Sequence, residues 1–358
     1  MKIGIIGFGF MGKTFVHSLN TLKDYYSDIK NDISIGGVVT SSETSAKKIN
    51  ISRYGIEKVY KNIDLLLEDK TIDSIYIASP NTLHYDQIKK CIKANKNILC
   101  DKPLTSNLSD SSRLIKTLNS KMVYQMVFEY RNFPAIREIK KLVTKNKIGK
   151  VINFRINYLH SGYLDKSRPM SWRLRKGGGA IMDLGPHVID LVNFIIDDIK
   201  SIKGIKRNCI NKRPISSSNK KLESVMVDDI AMGLCETQTG IPGFIEVSRL
   251  SMGSVDDLNI HISGESGSIK WSLEDLNCYY LATKDGVTKI QPTTNISPSI
   301  DFPPSKVAHG WLRAHSHSVY QFVKQVSDKE SLNKEKMNIP DFLDGHKVQK
   351  LVESFKNK

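Results

Sequence analysis

Two short stretches of this chain concentrate side chains able to handle a proton or hold an anion: "DKP" at Asp101, Lys102 and Pro103, and "GGGAIMDLGPHVIDL" at residues 177–191. In the second, Pro186 has no amide hydrogen and would break a helix interior, so it belongs in a first turn. The spacing therefore predicts a helix starting close to Asp183. On it Asp183, His187 and Asp190 fall at i, i+4 and i+7 and share a face, while Leu184, Val188 and Leu191 pack inward. An imidazole changes charge near neutral pH, which suits general acid–base work. A lone helical histidine is more often structural, and for Asp190 a structural partner is the expected reading. The glycine run before this helix, Gly177 to Gly179, allows close approach of the backbone to a ligand.

A third stretch, "GFGFMG", follows the apolar run "KIGII" and precedes a helical pattern. In that strand–turn–helix context Gly7 makes the tight turn, Gly9 lets the backbone approach a pyrophosphate, and Gly12 permits close helix packing. The helix start then offers free amides to the anion. Gly7, Gly9, Phe10, Met11 and Gly12 are expected to form a dinucleotide cradle. "SPNTLH" follows a later strand, and "DKP" the one after it. Both lie at carboxyl ends of parallel strands, where ligands bind in such sheets. Ser79, Pro80, Asn81, His84, Asp101 and Lys102 are accordingly expected around the cofactor, with His84 holding its loop in place rather than doing chemistry. An NAD-specific site places an acid at the end of the second strand. Here that strand ends in Thr40, Ser41 and Ser42, with Lys47 and Lys48 beyond, which leans toward NADP(H). Glu43 lies within reach of a ribose and leaves NAD open.

These residues need a scaffold, and the first third of the chain supplies one. Short apolar runs ("KIGIIGFG", "SIGGVVTS", "SIYIAS", "NILC", "MVYQMVF") alternate with helix-length segments, which predicts a parallel doubly wound α/β sheet over residues 1–125. After Pro134 comes an amphipathic helix that Gly149 is placed to cap. Strand-like runs with hairpin signals follow, so residues 126–358 are expected to form an α/β domain on a mostly antiparallel open sheet. Its final helix is a candidate to pack back on the first domain. The polar stretch 211–224 reads as a mobile surface loop.

At 358 residues the chain has room for two cores. The net charge of +16 suits an anionic small molecule, but the lysines are scattered and not interleaved with aromatics, so nucleic acid is not an expected partner. No apolar run is long enough to span a bilayer, and the N-terminus lacks a cleavage pattern, so a membrane partner is not expected and a cytoplasmic protein is. The five cysteines, odd in number and without CxxC spacing, argue against both disulfides and zinc. His309, His315 and His317 suggest a metal only superficially. His315 and His317 point different ways on a helix, so surface or substrate-edge positions are expected and no metal.

Taken in order, "GFGFMG", "SPNTLH", "DKP" and "GGGAIMDLGPHVID" resemble the Gfo/Idh/MocA oxidoreductase family, which includes glucose–fructose oxidoreductase and inositol dehydrogenases. The resemblance extends over essentially the whole chain, and departs in having Asp101 where the family usually carries Glu. It implies a Rossmann domain with NAD(P) as cofactor, a carbohydrate substrate, and a homodimer or homotetramer formed through the open sheet. It also implies that Lys102, Asp183 and His187 are the catalytic set. His187 would take the hydroxyl proton as hydride leaves carbon, Lys102 would stabilise the developing alkoxide, and Asp183 would orient the histidine or touch a substrate hydroxyl. The implied substrate is a secondary alcohol or ketone of a sugar, cyclitol or nucleotide sugar. Arg131, Trp172 and Arg173 are candidate substrate contacts, with core packing for Trp172 and an ion pair for Arg131 as equal alternatives. Two other classes remain: a sugar- or dinucleotide-sensing regulator without catalysis, and an NAD-dependent glycosidase. Retention of Lys102 together with His187 argues against the regulator.

Overall fold

The computed structural model describes residues 1–30, 32–293, 300, 302–304, 307–328 and 339–357. It divides into two compact units, Met1–Asn132 with Asn295–His346, and Phe133–Thr294 with Lys347–Lys358.

In the first unit six strands, β1 (Lys2–Ile6), β2 (Ser34–Val39), β3 (Val59–Tyr60), β4 (Ser74–Ile77), β5 (Asn97–Asp101) and β6 (Tyr124–Val127), form one sheet in the order β3-β2-β1-β4-β5-β6. Every pairing is parallel. Its central strands are apolar on both faces because helices cover both; Ile3, Ile5, Ile75 and Ile77 are fully buried. The order reverses between β1 and β4, which puts the carboxyl ends of those strands at the switch point where doubly wound sheets bind ligands.

The unit boundary departs from the sequence expectation of a break after residue 125. β6 runs to Val127, and the turn Glu129–Asn132 behind it is tied to the helix Trp311–Ser327, with Asn132 Nδ2 donating to Ser318 Oγ at 2.8 Å and to Ala314 O at 3.2 Å. That helix, rather than the last one, is the main late segment belonging to the first unit. It packs along the helix Phe10–Asn20, and Tyr320 stacks on Tyr26 at 3.9 Å. The last helix, Phe342–Val352, divides at His346, whose Nδ1 pairs with Ser111 Oγ at 2.9 Å.

His315 and His317, expected at a surface or substrate edge, are fully buried here instead. Two residues apart on one packed helix, they face separate partners: His315 Nδ1 on Ser18 Oγ and His317 Nδ1 on Tyr26 Oη, each at 2.9 Å. Burial drives the His315 pKa down to about 3 and the His309 pKa to about 4. Among the described residues no three His, Cys, Asp or Glu side chains converge on a metal-sized site.

The second unit is built on β7 (Val151–Leu159), β8 (Ile199–Arg207), β9 (Lys212–Pro214), β10 (Leu222–Ser224), β11 (Ile230–Thr237), β12 (Pro242–Ser248), β13 (Asp257–Gly264), β14 (Ser268–Ser272), β15 (Tyr279–Thr283), β16 (Gly286–Ile290) and β17 (Phe355–Asn357). Nine of them make one sheet, β16-β15-β14-β13-β7-β12-β11-β8-β17, antiparallel except for β7 with β12 and β8 with β17. The helices Pro134–Thr144 and Gly185–Ile195 pack together on one of its faces. The first of these is capped by Lys145, followed by a left-handed Asn146, and not by Gly149. Residues 211–224 are likewise not a free loop. β9 and β10 pair as a ribbon, held because Arg213 is fully buried and donates to the carbonyls of Tyr163 and Asp165 at 2.5 and 2.7 Å. No described helix is long and apolar enough to cross a membrane.

Candidate active site

The first unit carries the cradle. Gly7 has φ +96°, open to glycine at little cost, and a Cβ there would lie 2.7 Å from Ala78 O. At Gly12 a Cβ would sit 2.4 Å from Gly7 O, so the helix Phe10–Asn20 packs against its own turn only because that atom is missing. A Cβ on Gly9, by contrast, meets nothing within 4 Å. Two glycines are thus required by the protein's own packing. The third opens free space at the helix N-cap, where a pyrophosphate would bring its charge to unpaired amides. The residues present fit a dinucleotide. Phe10 is exposed and stacks with Trp311 at 5.9 Å, Met11 is half-buried, and Phe8 meets Tyr54 edge-on at 5.2 Å.

At the end of β2 no carboxylate follows Val39. Thr40 Oγ1 donates to Ser42 O at 3.0 Å, and Ser42 Oγ caps the short helix Glu43–Lys47 by accepting from Ser45 N at 3.2 Å. Ser42 is therefore committed to its own helix, while Ser41, Lys47 and Lys48 are exposed.

Ser79 and Pro80 are half-buried beyond β4 and Asn81 is buried at the start of a short 3-10 turn. His84, expected among the cofactor contacts, is buried. Its Nδ1 lies 2.9 Å from Pro103 O, and its Nε2 2.9 Å from Ser79 O. With both nitrogens facing carbonyls it is a strut between the "SPNTLH" and "DKP" loops. Two carbonyl acceptors favour the doubly protonated ring, but burial outweighs them and lowers its pKa.

Asp101 is the last residue of β5. It is buried, and Tyr76 Oη donates to its Oδ1 at 2.8 Å. Burial raises its pKa to about 7, against the opposing Tyr76 hydrogen bond, with the Glu129 charge adding to the rise. Lys102 next to it is half-buried. Arg131 is buried and pairs with Asp344 at 3.5 Å, which answers the alternative left open for it in favour of an ion pair.

The second unit holds Asp183 and His187, with a break between them that the spacing did not foresee. Ala180–Asp183 is a single turn, and the helix proper runs Gly185–Ile195 with Pro186 in its first turn. Pro186 supplies no amide to the hydrogen-bond ladder there, while Leu184 between the two segments keeps right-handed helical angles, φ −98° and ψ −34°. Asp183 accepts from Arg249 Nη2 at 2.9 Å and pairs with Arg173 Nε at 3.3 Å. Arg249 is almost fully buried, its guanidinium 4.6 Å over the Tyr163 ring. Arg173 also lies over Trp172 at 4.3 Å, so Trp172 and Arg173 form one stacked pair beside Asp183.

Gly178 and Gly179 of the glycine run are required by the protein's own packing. Gly179 has φ +102°, and a Cβ there would lie 2.5 Å from Asp228 Oδ1; at Gly178 it would lie 2.1 Å from Arg173 O. The buried Asp228 takes the amide of Ile181 on its carboxylate at 2.7 Å, and its carbonyl takes that of Ala180 at 2.9 Å, so the first turn after the glycines is capped from a distant strand.

His187 is buried with its ring 5.8 Å from that of Tyr158, edge to face. Asp190 is buried in the same helix. Tyr158, Tyr163, Arg213, Asp228 and Arg249 were not found from the sequence. They come from β7 and the turn after it, from β9, and from beside the ends of β11 and β12, and no local pattern links residues so far apart in the chain.

A family model described as "Oxidoreductase family, NAD-binding Rossmann fold" matches residues 1–129, and one for the "GFO/IDH/MocA C-terminal domain" matches residues 136–270. Levoglucosan dehydrogenase from Pseudarthrobacter phenanthrenivorans is 27% identical, over 76% of this chain and 74% of that protein. Glucose-6-phosphate 3-dehydrogenase from Bacillus subtilis is 23% identical, over 99% and 95%. Among solved structures, a levoglucosan dehydrogenase in complex with NADH and L-sorbose superposes with a TM-score of 0.88 at 24% identity, over 99% of this chain and 95% of that one. An oxidoreductase domain protein from Kribbella flavida does so with 0.86 at 25%, over 98% and 94%.

The different roles of the glycines can be separated. Gly9→Val should leave the thermal midpoint nearly unchanged while weakening NADH binding roughly tenfold or more, read by nicotinamide fluorescence; Gly12→Val should lower stability by about 1–3 kcal/mol through overpacking. Equal loss of stability in both would remove the free-space argument.

Asp101 makes stability depend on pH. Its unfolded pKa is near 3.8 and its folded one about 7, so the unfolded chain releases the proton first and stability falls as pH rises between those values. Asp101→Asn should remove this, gaining on the wild type by on the order of a few kcal/mol between pH 5 and pH 8 in urea titrations. A flat difference across that range would mean an ionised carboxyl throughout.

Proposed function

Because the chain belongs to the Gfo/Idh/MocA oxidoreductases, we propose that it is an NAD(P)-dependent dehydrogenase or reductase acting on a secondary alcohol or ketone of a sugar or cyclitol. The observation that carries this reading is the cradle: Gly7 and Gly12 are required by packing, Gly9 is left open at a helix N-terminus, and the NAD-binding family model covers the same residues. Relatives named for levoglucosan, glucose 6-phosphate and myo-inositol support the substrate class.

When bound, the nicotinamide takes or gives the hydride. The chain's own part is proton handling and positioning. We assign the hydroxyl proton to His187, a buried imidazole next to the apolar face of Tyr158. Lys102 is assigned to hydrogen-bond the reacting oxygen as negative charge develops. Asp183 is assigned a positioning role, since it holds Arg249 and Arg173, and the Trp172–Arg173 pair beside it is the proposed sugar contact. Of the two cofactors the reading favours NADP(H), supported by the lack of a carboxylate after Val39 and by the exposed Lys47 and Lys48. Five free cysteines among the described residues support a reducing, cytoplasmic setting.

Association of copies through the open face of the nine-stranded sheet is part of the same reading. Leu234, Phe244, Arg155, His261, Lys270 and Tyr280 lie side by side across it by strand register, and the groove that the last five help line measures about 480 Å³. Light scattering should give the mass of a dimer or tetramer for the wild type and a smaller species for Phe244→Glu; a monomeric wild type would refute this.

The activity test is absorbance at 340 nm with NAD⁺ and NADP⁺ against levoglucosan, D-glucose, D-glucose 6-phosphate and myo-inositol. Lys102→Met and His187→Ala should each cut turnover by roughly two orders of magnitude or more while leaving cofactor binding nearly intact. Unchanged turnover in either variant would overturn the role given to that residue. Cofactor binding without net reduction by any substrate would favour a sensor or a glycosidase.

A further inference from the structure

Next to His187 the second unit carries a group of polar side chains that the roles above leave unused. Tyr158 is the penultimate residue of β7, held between Val247 of β12 and Leu258 of β13. Its ring is buried against His187, and its hydroxyl donates to Asp256 Oδ1 at 2.6 Å. His160 lies two residues further on, its ring 4.9 Å from that of Tyr158 and its Nε2 3.3 Å from the same Oδ1. The backbone of His160 is fixed on both sides, its amide donating to Ser248 O and its carbonyl accepting from Ser251 N, each at 2.8 Å. That second strand segment continues into Arg249, the partner of Asp183.

The arrangement is asymmetric. Asp256 Oδ1 accepts from the phenol and lies 3.3 Å from His160 Nε2, so the carboxylate is oriented, while no described residue hydrogen-bonds Oδ2. The Asp256 side chain is 49% exposed and that of His160 26%. With Nε2 directed at Asp256, Nδ1 of His160 is also without a described partner and, in that tautomer, is an acceptor. A partly exposed carboxylate and a partly exposed imidazole, the second on backbone fixed at its amide and its carbonyl, thus lie beside Tyr158, whose ring packs on His187. Two adjacent hydroxyls are a ligand chemistry that supplies two donors to a neighbouring carboxylate and imidazole. A carboxylate acceptor is also the stronger kind of hydrogen-bond partner, and it rejects an analogue lacking the hydroxyl because the oxygen is then left unpaired.

We propose that Asp256 and His160, oriented by the Tyr158 hydroxyl, form a subsite that binds a vicinal diol of the substrate and so sets which polyols are accepted. This rests on the dehydrogenase reading above but makes a separate claim, about recognition and not about hydride transfer.

The test uses the full chain and the polyol of the panel with the highest kcat/KM, or the tightest binding by calorimetry if none turns over, together with its monodeoxy derivatives. Asp256→Asn should raise KM or Kd about tenfold or more with kcat changed little and cofactor affinity unchanged. At one carbon, removal of the hydroxyl should penalise the wild type about tenfold and Asp256→Asn hardly at all, a coupling that a merely structural role would not produce. His160→Gln carries the same deoxy comparison should Asp256→Asn not fold. An undiminished deoxy penalty in the variants, or an unchanged KM, overturns the subsite while the loss of turnover in His187→Ala still supports the dehydrogenase. Polyol binding lost in Asp256→Asn without any turnover by the wild type supports the subsite and overturns the dehydrogenase. Failure of every polyol to bind the wild type overturns both.

Discussion

A guanidinium with almost no exposed surface cannot stay uncompensated, because removing a charge from water costs several kcal/mol unless partners replace the lost hydration. Arg249 meets that constraint with Asp183, with the carbonyl of Arg173 and with the face of Tyr163. Arg213 meets it with the carbonyls of Tyr163 and Asp165. Two side chains from β9 and the end of β12 therefore hold residues 163–183, a stretch with little regular structure of its own. The Trp172–Arg173 pair, the glycine turn and the entry to the His187 helix all lie on or directly after that stretch.

The first unit solves a different problem. Its sheet delivers residues at strand ends, but strand ends are joined to loops, and loops must be fixed to hold a ligand. Here His84 spans the carbonyls of Ser79 and Pro103. Tyr76, from inside the sheet, engages Asp101 directly before Lys102. Both contacts spend polar groups beneath the surface so that their neighbours in the chain are held at it. This explains why two residues of conspicuous motifs, His84 and Asp101, are themselves buried.

Much of the scaffold was legible. Alternating apolar runs and helical segments gave the parallel sheet because strands buried on both faces leave an unbroken apolar signature. The glycine spacing marked the turn because the missing Cβ atoms of Gly7 and Gly12 answer steric demands of the protein's own packing. The helix break before His187 was half legible. Pro186 marked the first turn, but the separate turn Ala180–Asp183 depends on Asp228, whose place in the structure no local pattern announces. The same holds for residues 211–224, whose polar composition read as a loop until the buried Arg213 tied them down.

What the sequence determined by itself is what chain-local physics controls: strand and helix periods, the glycine turn, and the candidate residues Lys102 and His187 marked by their motifs. Only the tertiary structure decided which charges are partners. Asp183 belongs with Arg249, Asp256 with Tyr158 and His160, and His315 with Ser18, each across tens to hundreds of residues. Such pairs are selected by burial, where a polar group must find whatever partner the packed strands and helices bring within about 3 Å, and that distance is written nowhere in the local sequence.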